Sequence, residues 1–428
     1  MGGDDTSRLG VTVRPVDYIA LSIPIFFLLI GVEWVYAWAK KEKLYRLNDS
    51  VSDLSTGVLD QVLNVFTKAI TVGAYAWVFD RFRVTEWPAS SVATWVLCFL
   101  GVDFFYYWFH RVSHESNLPW GAHIVHHSSE EYNLSVALRQ GAFQSLWSFP
   151  FYLPLAWLGF PPIVFLACSS FDTLYQFWIH TRTIGKLGAL EWVLNTPSHH
   201  RVHHGCDEQY IDKNYAGMLI VWDRMFGSFQ AEEQEPIYGI TKPLASWNPV
   251  WANLHHYVDL AKAMPHAPSF GEGVKLWFKG PGWQPDWVRQ ALYSQPFVSP
   301  RTHGEAGKYD RRAPRAITVY AMAQFLIGLA VALVLLWGEH RWTWPERIGL
   351  AVVAIWTVLD VGLLFDRNRT ALPLELLRLG GASMAACLWA STALEGTGFA
   401  AVVVACLVVA SASAAGLLRL RLQIPSSD

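Results

Sequence analysis

Residues 91–115 read SVATWVLCFLGVDFFYYWFHRVSHE. The apolar run 91–109 approaches the ~20 residues a bilayer span needs, and it leads directly into His110 and His114. Positions i and i+4 share one helix face, so both imidazoles can aim at one point. Two further boxes follow, His123-Ile-Val-His126-His127 and His200-Arg-Val-His203-His204. In this spacing the i and i+3 residues are close and the i+4 residue adds a third vector. The boxes offer up to eight nitrogens, too many for one four-coordinate zinc, so two metals are expected. Imidazole suits iron, copper, nickel and zinc alike. With His180 and His199, ten of the chain's 15 histidines fall between residues 110 and 204.

Composition points to the same solvent. Of 428 residues, 52% are hydrophobic and 16% charged, well below the ~25% charge of soluble domains. The 22 tryptophans suit a chain that crosses membrane interfaces, which is where Tyr106, Tyr107, Trp108 and Trp120 are expected. A net charge of −2 gives no electrostatic case for nucleic acid. Cys98, Cys168, Cys206, Cys387 and Cys406 are scattered and are expected as buried free thiols. Residues 1–14 lack a clean basic leader, so the first apolar run is expected to stay in the membrane.

Further spans are predicted at 17–38, 315–337, 347–365, 371–392 and 397–418. A weaker one, 54–80, carries Asp60, Gln61, Asn64 and Lys68, which suggests a helix facing protein or a cavity. Residues 143–180, broken at Pro154 and Pro161-Pro162, fit a helical hairpin. Lys40, Lys41 and Lys43 place the end of the first span in the cytoplasm, as do Arg311, Arg312 and Arg315. All three boxes then fall on that side. The expected fold is all-α: a polytopic membrane bundle with a histidine-lined helical cytoplasmic cap over 15–313, then a C-terminal bundle of about four spans over 314–421.

Attack on an unactivated C–H bond needs a redox metal, electrons and a dry site. Zinc cannot change redox state. Metal-bound imidazoles usually donate their other N–H to an oxygen. Asp103, Glu130, Glu131, Asp172, Asp212 and Asp223 are candidates, and Glu115 is favoured for a supporting or ligand role. His199 lies one residue off the HxxHH face, and His255-His256 reads as surface. A metal transporter would bind near mid-membrane, and a zinc hydrolase would show HExxH. Neither pattern is present.

The order HxxxH, HxxHH, HxxHH on a multispan chain resembles the fatty acid hydroxylase/sterol desaturase superfamily of non-haem di-iron membrane enzymes. Residues 123–140, 174–181, 195–205 and 211–229 narrow the resemblance to its alkylglycerol (glyceryl-ether) monooxygenase branch, over about residues 15–260. The resemblance implies two iron ions held by His110, His114, His123, His126, His127, His200, His203 and His204, with His180 as a ninth ligand. It also implies O2, an O-alkylglycerol or other long-chain lipid substrate, and tetrahydrobiopterin as an electron donor external to the chain. Hydroxylation of the ether-bonded carbon would give a hemiacetal that breaks down to fatty aldehyde and a glycerol derivative. The alternative is sterol desaturation or acyl-chain hydroxylation on the same centre. The membrane would be the endoplasmic reticulum in a eukaryote and the inner membrane in a bacterium.

Overall fold

The computed structural model describes residues 18–292, 307–338 and 341–421. Among them there is no strand, only two isolated bridges, Leu194 to Leu219 and Gly205 to Tyr238. Six helices are long and apolar enough to cross a membrane. Three of these come first: α1 (Tyr18–Lys40), α2 (Leu47–Phe82) and α3 (Val92–Glu115). The first of the expected spans and the weaker second one therefore form as continuous helices, α2 beginning about two turns before its expected start and ending just past its expected end.

The cap begins with α4 (Asn117–His127), which carries the second box. The expected hairpin forms as α5 (Gln144–Trp157) and α6 (Pro162–Trp178). At 1.5 Å per residue these are only ~20–25 Å long. The tip still reaches the α2–α3 connection, because Val84 N–H donates to Trp157 O at 2.9 Å and the Trp87 indole to Leu158 O at 3.1 Å. Gly159 makes this turn at φ 88°, and a Cβ there would sit 1.9 Å from Thr85 O.

The rest of the cap is short helix and loop: α7 (Pro197–His203), α8 (Val221–Phe226), α9 (Pro249–Ala263), α10 (Phe270–Phe278) and α11 (Asp286–Leu292). Pro296 and Pro300, in the proline-rich stretch 265–312, lie outside the described residues. The chain ends in α12 (Arg315–Trp337), α13 (Trp344–Phe365), α14 (Ala371–Ala393) and α15 (Thr397–Arg421).

Sequence character changes near residue 313, and packing continues across that point. Val58, Val62 and Val65 of α2 share a core with Ala332 and Leu335 of α12 and Ala354 and Val358 of α13. Helix α12 thus helps wall the space beneath the cap. Within the C-terminal spans Arg378 is held by Glu375 at 2.6 and 2.7 Å, Gln324 at 2.7 Å and Thr357 at 3.1 Å, with Asp360 at 3.7 Å. Arg378→Met would strand two buried carboxylates. It should cost ~3–5 kcal/mol, seen as a lowered unfolding temperature in detergent; an unchanged temperature would show the pair to be dispensable.

Candidate metal centre and lipid chamber

Two groups of buried histidines have nitrogens that all lie within 4.8 Å of one another. The first holds His110, His114, His123, His127 and His203; the second holds His126, His180, His200 and His204. Both HxxHH boxes are split in the same way. The i and i+4 pair, His123 and His127 or His200 and His204, goes to one group, and the i+3 residue, His126 or His203, crosses to the other. Residues i+3 and i+4 differ by ~100° around a helix, so one short helix can face two centres. Two such helices, α4 and α7, exchange ligands reciprocally. His180 completes the second group from the end of the hairpin.

The donor set fits metal ions. Nδ1 of His110 meets Tyr215 O at 2.7 Å, of His126 Arg139 O at 2.9 Å, of His180 Gln176 O at 2.7 Å and of His203 Lys213 O at 2.9 Å. A carbonyl only accepts, so the proton sits on Nδ1 and Nε2 is a bare lone pair. Yet Nε2 of His126 and His180 face each other at 3.1 Å, and Nε2 of His180 and His200 at 3.0 Å. Nε2 of His110 and His123 are 2.8 Å apart, with His123 Nδ1 at 3.0 Å from Gln144 Oε1. For His126 and His180, whose Nδ1 protons are both fixed by carbonyls, two lone pairs cannot hydrogen-bond, and a cation bound by both satisfies them. Nε2 of His114, His203 and His204 is also buried with no hydrogen-bond partner.

Buried ion pairs hold the boxes in place. Arg139 donates to Val125 O at 2.8 Å, to Ser128 Oγ and to Asp53 of α2 at 3.2 Å, fixing the end of α4. Arg201, inside the third box, grips Glu232 with two 2.7 Å bonds and donates to Thr181 O and Ile184 O. It thereby ties α7 to the segment that follows His180. Asp223 accepts from Tyr215 N–H at 2.8 Å, which sets the carbonyl that orients His110. Asp103 accepts from Met218 N–H and the Trp222 indole, both at 2.7 Å. Gly217 lies where a Cβ would be 3.1 Å from that carboxylate. Arg201→Leu should lower metal affinity ~10–100-fold, as loss of a ligand's support does, measurable as metal retained after chelator challenge. Full retention would show that α7 needs no such tie.

Burial also prepares the ligands electrically. It pushes His123 and His180 down to about 4 and His203 down to about 3, so these imidazoles are neutral and metal-ready at pH 7. Unfolding returns them to about 6.5. At these three histidines the unfolded chain binds more protons between these values, so their contribution to the stability of the metal-free protein falls as pH drops from about 6.5 toward 4. The unfolding temperature in chelator should be flat above pH 7 and decline below 6.5. A rise on acidification would contradict neutral buried imidazoles.

Beneath the second group lies a chamber of 310 Å³ reached by His123, His126 and His180. Ile23, Phe26 and Phe27 of α1 and Leu333 and Leu336 of α12 form an apolar wall. A polar wall is formed by Asp60, Gln61 and Asn64 of α2 with Gln140, Gln144 and Ser145. Asp60 accepts from Gln61 at 2.9 Å and Asn64 at 3.0 Å, and Asn64 Oδ1 accepts from Ser145 at 2.9 Å. The polar stripe of α2 therefore faces a cavity. A second cavity of 280 Å³ shares Gln61, Asn64, Ser145 and Leu336 with it and extends past Lys68.

A family profile described as fatty acid hydroxylase matches residues 95–228, the segment carrying every one of these histidines. The chain is 41% identical to alkylglycerol monooxygenase of Xenopus tropicalis, over 88% of this chain and 83% of that one. It is 40% identical to alkylglycerol monooxygenase of Homo sapiens, over 85% and 81% respectively. The chain belongs to the alkylglycerol monooxygenase family. That of Caenorhabditis elegans is 33% identical over 88% of this chain. No solved structure matches the chain. As a member of the alkylglycerol monooxygenase family it is an oxygen-dependent membrane oxidoreductase acting on lipid.

In this alkylglycerol monooxygenase relative some sequence expectations meet a different arrangement. Glu115 is not brought to the histidines: it pairs with Arg111 at 2.9 Å and its side chain is 52% exposed. The helix ends just there, and its last residue turns to solvent. His199 packs on Phe229 and joins neither group. Cys206 joins neither group. Cys387 and Cys406 are half-buried, the other three cysteines buried, all five free. Tyr107 is fully buried rather than interfacial, bonded to Ser228 Oγ at 2.9 Å, and Trp120 packs on His114 and His127. His255 is buried, not surface. Arg139, Arg201 and Gln144 were not singled out from sequence; an arginine inside a ligand box was the one available signal.

Proposed function

We propose that this chain is a di-iron monooxygenase that hydroxylates the ether-bonded carbon of O-alkylglycerol lipids. The carrying observation is the two-site cluster of nine histidines opening onto a chamber with one apolar and one polar wall. An iron pair held by these histidines supplies the activation of dioxygen that C–H hydroxylation needs. The chain does the rest. The apolar wall between α1 and α12 receives the alkyl tail from the bilayer. The glycerol end of an ether lipid lies only a bond from the carbon to be oxidised, so its hydroxyls must sit close to the metals. The amides of Gln61, Asn64, Gln140 and Gln144 offer donors and acceptors there. A plain hydrocarbon would leave those groups unpaired, which costs free energy in a dry site. The hydroxylated carbon is a hemiacetal, which breaks to a fatty aldehyde and a glycerol derivative.

Tetrahydrobiopterin serves as the external electron donor in this reading, and the histidine cap faces the cytoplasm, as the lysines after α1 and the arginines before α12 favour. The membrane is then that of the endoplasmic reticulum or, in a bacterium, the inner membrane. Purified protein given ferrous iron, tetrahydrobiopterin and an O-alkylglycerol should release fatty aldehyde. No aldehyde from protein carrying two irons would move the substrate to sterols or acyl chains.

A further inference from the structure

The five-histidine group has a second face. His114, His127 and His203 border a separate cavity of 390 Å³ inside the cap. It shares no lining residue with the lipid chamber, which the metals meet through His123, His126 and His180. Trp120 lines it beside these histidines, its ring 4.9 Å from His114 and 5.5 Å from His127. The far walls bring Trp283, His255, His256, Asp259 and Lys242.

This lining describes its occupant. His255 is 8% exposed, and its Nδ1 meets Ala252 O at 2.9 Å. The proton is therefore on Nδ1, and buried Nε2 is an acceptor with no hydrogen-bond partner. Asp259, bonded to Lys242 at 2.6 Å, adds acceptors at the rim. Trp120 and Trp283 offer flat apolar faces. An N–H-bearing planar heterocycle satisfies all three features. An acyl chain would meet the Trp120 and Trp283 faces but leave the His255 and Asp259 acceptors unpaired. A protein donor could not touch the centre, since His114, His127 and His203 are all at most 6% exposed.

We propose that this cap-side cavity is the binding site of a small planar heterocyclic two-electron reductant, which serves the metal centre from the face opposite the lipid. The assignment rests on the monooxygenase reading above. In the balanced reaction a C–H bond breaks and a C–O bond forms with one oxygen atom of O2. The other oxygen leaves as water, taking two electrons and two protons from the reductant, which departs oxidised. Separate cavities let lipid and reductant be bound together without competing.

The test uses the full chain loaded with zinc, which is redox-silent, and fully oxidised biopterin, which cannot donate electrons. Titration calorimetry should show saturable binding, unaffected by saturating 1-O-alkylglycerol. Binding should weaken at least tenfold in His255→Ala and in Trp283→Ala, each verified to hold wild-type zinc. Asp259→Asn, nearly isosteric, should weaken it also and covers the case in which a larger truncation disturbs folding. Absence of binding, displacement by the lipid, or wild-type affinity in the zinc-replete variants would overturn the assignment. A parallel single turnover of iron-loaded, dithionite-reduced wild type with O2 and no pterin separates the two readings. Aldehyde formed there without biopterin binding overturns the cavity and leaves the monooxygenase. Biopterin binding as described without aldehyde supports the cavity and counts against the proposed substrate.

Discussion

His126→Ala and His203→Ala should each reduce turnover by at least ~10²-fold, while His199→Ala leaves it largely intact. Loss of a group that merely supports a ligand already costs ~10–100-fold, so loss of a ligand costs more. The two impaired variants test different groups. His126 belongs to the four-histidine group, which would keep only His180, His200 and His204. His203 belongs to the five-histidine group, which would keep four imidazoles. Metal analysis should therefore show a larger deficit in His126→Ala than in His203→Ala, with both proteins still inserted in the membrane. His199 is the control within the same short helix: adjacent in sequence to a ligand, its ring packs on Phe229 instead. Full activity in either ligand variant with normal metal content would end the assignment of that residue. An inactive His199→Ala with normal folding would mean the five-and-four division misses a participant.

Asp60→Leu should lower kcat/KM on O-alkylglycerol by ~10² or more with metal content unchanged. Asp60 anchors Gln61 and Asn64, and Asn64 in turn receives Ser145. Removing the carboxylate frees these amides from the orientation in which they face the chamber. Sites built to hydrogen-bond a substrate hydroxyl discriminate strongly by that contact, and a shift of ~1 Å in positioning can cost ~10²-fold. A long-chain substrate lacking the glycerol hydroxyls should be far less affected. Equal losses on both substrates would make Asp60 a structural residue of α2. No loss on either would remove the polar wall from head-group recognition.

How far the fold could be read is clear from particular segments. Residues 92–115 form one helix ending in two histidines of the cluster because hydrophobic length and i, i+4 spacing are both local properties. The hairpin at 143–180 was legible from Pro161-Pro162 at its turn, whereas Pro154, expected as a break, lies inside α5. Glu115 was misread because sequence adjacency to His114 says nothing about which way a helix's last side chain turns. His255 was misread for a related reason: its burial depends on α9 packing against α4, which no local pattern announces. Arg139 and Arg201 look like ordinary surface cations until Asp53 and Glu232 arrive from 86 and 31 residues away.

Sequence by itself determined the apolar spans and the three histidine boxes, since those follow from apolar length and helical periodicity within one segment. Only the tertiary structure decided which histidine serves which centre. The i+3 member of each box crosses to the other group because α4 and α7 approach from different elements. The same long-range packing divided the approaches to the metals into a lipid chamber and a cap-side cavity, since each is walled by helices far apart in the chain.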